Sequence, residues 1–167
     1  MMLMIIFFVA QNYKNKILSE ILDLKKLHTV NKPIETANGL PNECYTDKDY
    51  FDYEKDKVFC DKWTVIGVGS SIPNPGDVKP YNLLGIPLIM IRDKDMKIRV
   101  FHNVCSHRGF KLVDKTCSLK NVIRCPYHSW AYDFKGNLVA TPHIGGLNNH
   151  KSERFDKTKS NLKEVKT

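Results

Sequence analysis

The pairing of cysteine with histidine in two short stretches constrains this chain more than any other feature. Cys105 and His107 are one residue apart in CSHRGF, and Cys125 and His128 are two residues apart in CPYHSW, with seventeen residues between His107 and Cys125. Each pair falls where a short β-type run ends and a turn begins. Two loops are therefore expected to present two thiolates and two imidazoles to one place.

The order of the ligands within each pair separates two kinds of metal site. Two cysteines and two histidines suit either tetrahedral zinc or a [2Fe–2S] cluster with cysteines on one iron and histidines on the other, the Rieske arrangement. Zinc fingers and ribbons usually pair cysteine with cysteine and histidine with histidine. A Rieske cluster takes one ligand for each iron from each loop. The Cys-His order therefore favours the iron–sulfur cluster, and zinc stays open as the alternative.

Short β-type runs with turn residues between them surround both pairs. Gly, Pro and Asp turns every few residues favour an antiparallel β-sandwich or barrel, so we expect a mainly β protein. The runs are WTVIGVG from Trp63, YNLLGIPLIMIR from Tyr81, IRVFHNV from Ile98, NVIR from Asn121, WAYDF from Trp130 and LVA from Leu138.

Helices are predicted before the β-type region. Apolar residues at helical spacing from Ile17 to Leu27 indicate a packing helix, and residues 30–45, with two prolines and an Asn-Gly pair, indicate an extended linker. A second helix is predicted over 46–59, with Thr46 as N-cap and acidic residues in the first turn. Neither helix carries a chemical motif.

Charge and the first ten residues limit the partners and the compartment. The net charge is +8, but much of it lies near the two ends of the chain. Residues 150–167 carry six Lys/Arg against three Asp/Glu, and residues 11–30 carry four against two. The middle of the chain is therefore only mildly basic, and no nucleic-acid partner is expected. The apolar start MMLMIIFFVA is too short to span a bilayer and lacks the pattern of a signal peptide. Five cysteines, an odd number, favour reduced thiols and the cytoplasm.

The ligand stretches and their surroundings resemble the Rieske domain in the α subunit of Rieske non-haem iron oxygenases, the family of aromatic-ring-hydroxylating dioxygenases and choline- or carnitine-type monooxygenases. The similarity covers about residues 41–148 and includes YTDKDYFDYEKDKVFCDKW, IPNPGD, IRVFHNVCSHRG and CPYHSWAYDFKGNLVATPH. It implies that residues 46–148 form an antiparallel β-sandwich Rieske domain, which begins with a helix. A helical segment and linker at 1–45 would precede it, and a charged tail at 149–167 would begin a catalytic domain.

The resemblance also assigns roles around the cluster. It implies that Cys105 and Cys125 ligate one iron and that His107 and His128 ligate the other. It places four further residues around the cluster, Arg108, Gly109, Tyr127 and Trp130. The indole of Trp130 would lie beneath the cluster, and Arg108 and Gly109 would shape the first loop.

The details of the loops predict a low-potential cluster. Respiratory Rieske proteins carry one extra cysteine in each loop, joined as a disulfide, whereas Tyr127 stands at that position of loop two and Cys117 has no partner between the loops. Ser129 occupies a position where the oxygenase pattern more often has glycine. If that position needs a positive φ, serine is strained there.

The resemblance implies electron transfer from a ferredoxin or flavin reductase to a mononuclear Fe(II) site, in a homotrimer of the full-length subunit. That iron would be held by two histidines and a carboxylate, and the histidines outside the loops lack the spacing of such a triad. They are His28, His102, His143 and His150. We therefore expect an electron-transfer domain that is not catalytically competent alone. The alternatives are a stand-alone Rieske ferredoxin, which usually lacks the helix predicted at 46–59, and a zinc-dependent binding module.

Overall fold

The computed structural model describes residues 22–167 and divides the chain into two units, Met1–Val65 and Ile66–Thr167. The regular elements described in the first unit are helical, and a π-helical turn, Lys55–Phe59, continues the last helix. The helices are α1 (Leu24–Leu27), α2 (Glu43–Thr46) and α3 (Lys48–Glu54). The apolar start and most of the helix predicted from Ile17 lie outside the described residues, and α1 is the last turn of that prediction.

The N-cap predicted for the second helix is wrong by one residue. Oδ1 of Asp47 accepts a hydrogen bond from the backbone N–H of Tyr50 at 2.9 Å, whereas the hydroxyl of Thr46 donates to the carbonyl of Asn42 at 3.1 Å. Thr46 belongs to the preceding helix α2, so its backbone is already helical and a carboxylate one residue later takes the capping position.

Two antiparallel sheets form the second unit, all of whose residues are described. Five strands are ordered β4-β1-β2-β3-β8, and three are ordered β5-β6-β7, so the mainly β, antiparallel fold predicted from the sequence is confirmed. The strands are β1 (Asp77–Leu83), β2 (Ile86–Arg92), β3 (Ile98–His102), β4 (Cys117–Ser118), β5 (Ile123–Arg124), β6 (Ala131–Tyr132), β7 (Leu138–Ala140) and β8 (Glu164–Val165).

Both faces of β2 are buried, which explains its continuous apolar sequence. Ile89 and Ile91 belong to the core cluster that includes residues of both sheets, whereas Leu88 and Met90 pack in a second cluster on the opposite face. The single run predicted from Tyr81 is divided between two strands, β1 and β2, which pair as a hairpin. Its turn uses Leu84 and Gly85, which have φ values of 50° and 93°.

The strand predicted from Trp63 is wrong, because WTVIGVG takes part in neither sheet. Trp63, Val65 and Val68 are 75%, 89% and 64% exposed, so these apolar residues do not form a buried face. Two further strands, β4 and β8, were not predicted. The second of them lies within residues 149–167, the segment expected to be a charged tail.

Two turns of the same construction lie at one end of the strands that position the ligand loops. Between β2 and β3, Oδ1 of Asp93 accepts from the amides two and four residues later, both at 2.9 Å. Between β6 and β7, Oδ1 of Asp133 accepts from the amides two and four residues later, at 2.8 and 2.9 Å. An ion pair of 2.8 Å between Lys135 and Asp95 joins the two turns.

Within the part of the chain that the structure describes, no helix is long and apolar enough to cross a bilayer.

Candidate metal centre

Loop one follows β3 and closes on itself through two backbone hydrogen bonds. The amide of Cys105 donates to the carbonyl of Phe110 at 2.8 Å, and the amide of Gly109 donates back to the carbonyl of Cys105 at 2.9 Å. Gly109 has φ +68°, a left-handed conformation that glycine adopts without the steric penalty of a Cβ. The loop thereby turns sharply around a cysteine that is only 1% exposed.

Loop two connects β5 to β6 and repeats this frame. The amide of Cys125 donates to the carbonyl of Trp130 at 2.8 Å, and the amide of Ser129 donates to the carbonyl of Cys125 at 3.0 Å. Ser129 has φ +59°, so the position does require the left-handed conformation considered from the sequence. A residue with a Cβ pays about 1–2 kcal/mol for this conformation, so loop two carries strain that loop one avoids.

The structure brings the four predicted ligands together as one pair of thiols and one pair of imidazoles. Cys105 and Cys125 are 1% and 2% exposed and belong to the same core cluster, and Cys125 contributes to raising the pKa of the Cys105 thiol. The ring centroids of His107 and His128 are 4.9 Å apart. Each loop thus contributes one member to each pair. This division matches a cluster in which two thiolates serve one iron and two imidazoles serve the other.

The donor atoms fit such a cluster. Nδ1 of His128 is buried and has no hydrogen-bond partner among residues 22–167, so a bound group would satisfy an atom that the fold leaves unpaired. Within the same residues, no three side chains of His, Cys, Asp or Glu gather closely enough to hold one metal ion. A Rieske cluster does not need such a group, since each iron takes only two ligands from the protein.

Burial acts on the ligand side chains in opposite directions. It lowers the pKa of His107, as do the neighbouring His128 and Arg108, and the neutral imidazole that results is the form that binds metal. Burial raises the pKa of the Cys105 thiol, although hydrogen bonds from Tyr132 and from the amide of His107 oppose this. The metal itself must therefore supply the attraction that deprotonates the thiol.

Aromatic rings cover the imidazole pair on two sides. The indole of Trp130, 4% exposed, stacks on His107 with centroids 4.6 Å apart and planes 9° apart. Tyr127, 52% exposed, lies against His128 with centroids 3.8 Å apart. Both rings were singled out from the sequence, and both contact a histidine rather than a cysteine.

The imidazole pair also borders a cleft of about 460 Å³. Its lining includes His107, His128, the exposed Arg108 and His143. Arg108 lines this cleft, and its positive charge lowers the pKa of His107. The thiol pair is buried, whereas the imidazole pair faces this opening.

Tyr132 is a residue near the ligands that the sequence did not reveal. Its ring is fully buried, and its hydroxyl lies 3.2 Å from Sγ of Cys105. Burial raises the pKa of this phenol, and so does the contact with Cys105, so the hydroxyl keeps its proton. Tyr132 lies in β6, where an aromatic side chain is ordinary, and only the tertiary structure shows that it reaches across to loop one.

Asn103 was also missed, and it secures the exit from loop one. It is buried, its Oδ1 accepts from the amides of Leu112 and Val113 at 3.0 and 2.9 Å, and its Nδ2 donates to the carbonyl of Val113 at 2.7 Å. A buried amide with all these bonds satisfied ties the segment after the loop to the end of β3. An asparagine directly before a ligand loop is a signal that could have been read.

The paired thiols and imidazoles, held by two loops of an antiparallel β fold, define an iron–sulfur type of metal centre. Residues 62–151 match the profile of the Rieske [2Fe-2S] domain, which is more than half of the chain. The chain belongs to this family.

Relatives of known function are oxygenase subunits. The chain is 34% identical over 132 residues to the carnitine monooxygenase oxygenase subunit of Escherichia coli (strain K12), which covers 79% of this chain and 34% of that protein. It is 36% identical over 109 residues to the benzene 1,2-dioxygenase subunit alpha of Pseudomonas putida (strain F1), covering 65% of this chain and 24% of that protein. The resemblance to the α subunits of Rieske oxygenases is thereby confirmed.

Solved structures give the same result. The apo form of a quaternary ammonium Rieske monooxygenase superposes with a TM-score of 0.67 at 34% identity, covering 77% of this chain and 36% of that chain. Naphthalene 1,2-dioxygenase from Rhodococcus sp. superposes with a TM-score of 0.71 at 28% identity, covering 84% of this chain and 30% of that chain. The chain spans about a third of the length of the carnitine monooxygenase subunits that it matches.

Proposed function

We propose that this chain is the electron-transfer domain of a Rieske oxygenase α subunit. In this proposal Cys105 and Cys125 bind one iron of a [2Fe–2S] cluster and His107 and His128 bind the other. The observation that carries it is the separation of the donors into a buried thiol pair and an imidazole pair. Nδ1 of His128, which has no hydrogen-bond partner among residues 22–167, supports the same assignment.

The cluster, when bound, would accept and release one electron. The backbone frames of the two loops fix the positions of the donors before any metal arrives, which lowers the entropic cost of binding. Trp130 stacks on His107, and Phe155 packs edge-on against Trp130 with ring centroids 5.4 Å apart, so this side of the histidine is closed to water. The cleft beside the histidines leaves that edge accessible to another protein surface.

The partners in this proposal follow the relatives. The donor would be a ferredoxin or a flavin reductase, and the acceptor a mononuclear Fe(II) site of a full-length subunit in a homotrimer. The relatives support an oxygenase role because they are oxygenase subunits. A quaternary ammonium Rieske monooxygenase of similar structure has given insights into inter-subunit electron transfer, which supports an acceptor on another subunit. The cytoplasm is the proposed compartment, because ligand thiols stay reduced there.

The domain proposed to carry this function spans residues 46–148, after a helical segment at 1–45 and before a tail at 149–167 that begins a catalytic domain. Limited proteolysis of the reconstituted chain tests these bounds. A cluster-containing fragment that starts near residue 46 supports them, and loss of the cluster on removal of the tail contradicts them.

Reconstitution of the chain with iron and sulfide under anaerobic conditions tests the function itself. We expect about two irons and two sulfides per chain, a red-brown colour and a Rieske-type EPR signal after reduction. The isolated chain should not hydroxylate a substrate. Tight binding of one zinc ion with no colour would instead support the zinc-dependent module, and a third iron with turnover would place the oxygen chemistry in this chain.

A further inference from the structure

The hydroxyl of Tyr132 is shared between Cys105 and its neighbour Ser106. It lies 3.2 Å from Sγ of Cys105 and 2.8 Å from Oγ of Ser106, and it accepts a hydrogen bond from the amide of Ser106 at 3.1 Å. A phenol has one proton to donate. The partner that receives this proton therefore decides how strongly Tyr132 binds the cysteine sulfur.

The position of the Ser106 proton settles the direction of the next bond. Oγ of Ser106 lies 2.5 Å from the carbonyl of Ser160, and a carbonyl only accepts, so the Ser106 hydroxyl donates there. Oγ of Ser106 then has only lone pairs to offer Tyr132 and competes with the sulfur for the phenolic proton. A thiolate ligand likewise only accepts, so both contacts demand the same proton.

The carbonyl of Ser160 is held in place by the two residues that follow it. Oδ1 of Asn161 accepts from the amide of Leu138 at 2.9 Å, and the amide of Leu162 donates to the carbonyl of Gly136 at 2.8 Å. The side chain of Leu162 is 7% exposed and belongs to the core cluster. Packing of residues 157–162 therefore fixes the acceptor that orients Ser106.

We propose that Ser106 is a positioning residue that draws the proton of Tyr132 away from the Cys105 sulfur, and that residues 157–162 hold it in this role through the Ser160 carbonyl. The inference rests on the proposed function, because the sulfur must be a cluster ligand. Hydrogen bonds to cluster sulfurs raise the reduction potential. Sharing the proton with Ser106 therefore keeps the potential lower than Tyr132 alone would set it.

Redox titration of the reconstituted chain, followed by EPR, tests this inference. Ser106→Ala leaves the sulfur as the only acceptor for Tyr132, so we expect the potential to rise. The ratio of reduced to oxidised cluster at a fixed applied potential should increase threefold to tenfold, about 30–60 mV at 59 mV per tenfold for one electron. Tyr132→Phe should shift the potential downwards. Ser106→Thr keeps the hydroxyl and should retain the original potential.

The double variant separates this role from a general disturbance of the loop. In a Tyr132→Phe background, Ser106→Ala should have no further effect, because the contested proton is absent. The inference is overturned if Ser106→Ala shifts the potential equally in both backgrounds. It is also overturned if the potential stays unchanged or falls when Tyr132 is present. In these cases a Rieske-type EPR signal would still support the proposed function. Absence of a Rieske signal from the unmutated chain would overturn both.

Asn161→Ala reaches the same proton without changing the ligand loop. Release of the Ser160 carbonyl frees the Ser106 hydroxyl to donate to Tyr132, which then donates to the sulfur, so the potential should rise as in Ser106→Ala. A potential equal to that of the unmutated chain would show that residues 157–162 do not control Ser106. The substitution should add nothing in a Ser106→Ala background.

Discussion

The two ligand loops share one backbone frame but differ at two positions within it. In each loop the cysteine amide bonds to the carbonyl five residues later, and its carbonyl accepts from the amide four residues later. The histidine is the third residue of loop one and the fourth of loop two, and the left-handed residue is Gly109 in one and Ser129 in the other. The frame thus tolerates a shift of the ligand by one residue and a residue with a Cβ at its strained position.

The β2–β3 and β6–β7 turns also share one backbone arrangement and differ in their side-chain contacts. Asp93 and Asp133 accept equivalent pairs of backbone hydrogen bonds, yet their surroundings differ. The side chain of Asp93 is fully buried and forms an ion pair of 2.8 Å with Arg99, whereas Asp133 bonds to the side-chain amide of Asn137. Repeated local structure is therefore stabilised by different side-chain contacts in the two turns.

Removal of one thiol from either loop should give the largest effect, because each loop supplies one half of the thiol pair. We expect Cys105→Ala and Cys125→Ala each to abolish the visible absorbance and the EPR signal of the reconstituted chain. Cys117→Ala, in β4, is the matched control and should retain both. A variant that keeps the cluster after loss of one of these thiols would show that the loops are not equivalent.

Asp93→Asn should give the next largest effect, a loss of about 2 kcal/mol in the free energy of unfolding, because a buried charged acceptor is lost. Burial alone would raise the pKa of Asp93, but hydrogen bonds from Arg99 and from the amides of Lys97 and Asp95 lower it overall. The stabilisation that ionised Asp93 gives the folded state is therefore fully present above the pKa of the unfolded chain, which is near 4. It is lost as the pH falls through the lower pKa of the folded state.

Urea titrations between neutral pH and about pH 3 measure this effect. The unfolding free energy of the unmutated chain should fall more steeply in acid than that of Asp93→Asn. Asp133→Asn is the control in the equivalent turn, and its effect should be smaller because its side chain is partly exposed. Equal losses from the two substitutions would show that the Arg99 ion pair adds nothing to the turn.

Gly109→Ala tests the left-handed position of loop one and should lower the free energy of unfolding by about 1 kcal/mol. Among the described residues 22–167, apart from its chain neighbours, a Cβ at this position meets no atom within 4 Å, so the cost comes from the backbone conformation. Gly85→Ala is the matched control, because Gly85 has φ +93°, equally open space and a place in the β1–β2 turn. Chemical denaturation should give similar losses, with a reduced cluster content for Gly109→Ala only.

Ser129→Gly is the complementary change in loop two and should give the smallest effect. Relief of the left-handed strain outweighs the added entropy of glycine in the unfolded chain, so we expect about 0.5 kcal/mol of added stability. The ligand residues are unchanged, so the EPR signal should persist. Destabilisation measured by the same denaturation would mean that the serine side chain makes a contribution larger than its strain.

Much of the site could be predicted because its signal is local. The four proposed ligands follow from spacing within short stretches. The condition of a positive φ at Ser129 came from the family resemblance, whose pattern more often has glycine there. The contacts made by Tyr132 and Ser160 could not be predicted, since Tyr132 lies 27 positions after Cys105 and Ser160 lies 54 positions after Ser106. No periodicity or motif records a hydrogen bond across such a distance.

The strand errors have the same origin. WTVIGVG has the composition of a strand, but whether a run pairs depends on a neighbouring strand with free backbone groups, which its own residues do not encode. β8 carries Glu164 and Val165 on the edge of the larger sheet, and its place there depends on pairing with β3. Strand propensity is a local property, whereas membership of a sheet is a property of two segments.

The sequence by itself determined the kind of donors, their division between two loops and the β character of the fold, because these depend on residue types at short separations. The tertiary structure alone decided that the thiols are buried while the imidazoles face a cleft. It also decided that a tyrosine, a serine and a distant carbonyl share the protons beside Cys105. The physical reason is that burial and hydrogen bonding are set by which segments meet in space, and a separation along the chain does not fix that meeting.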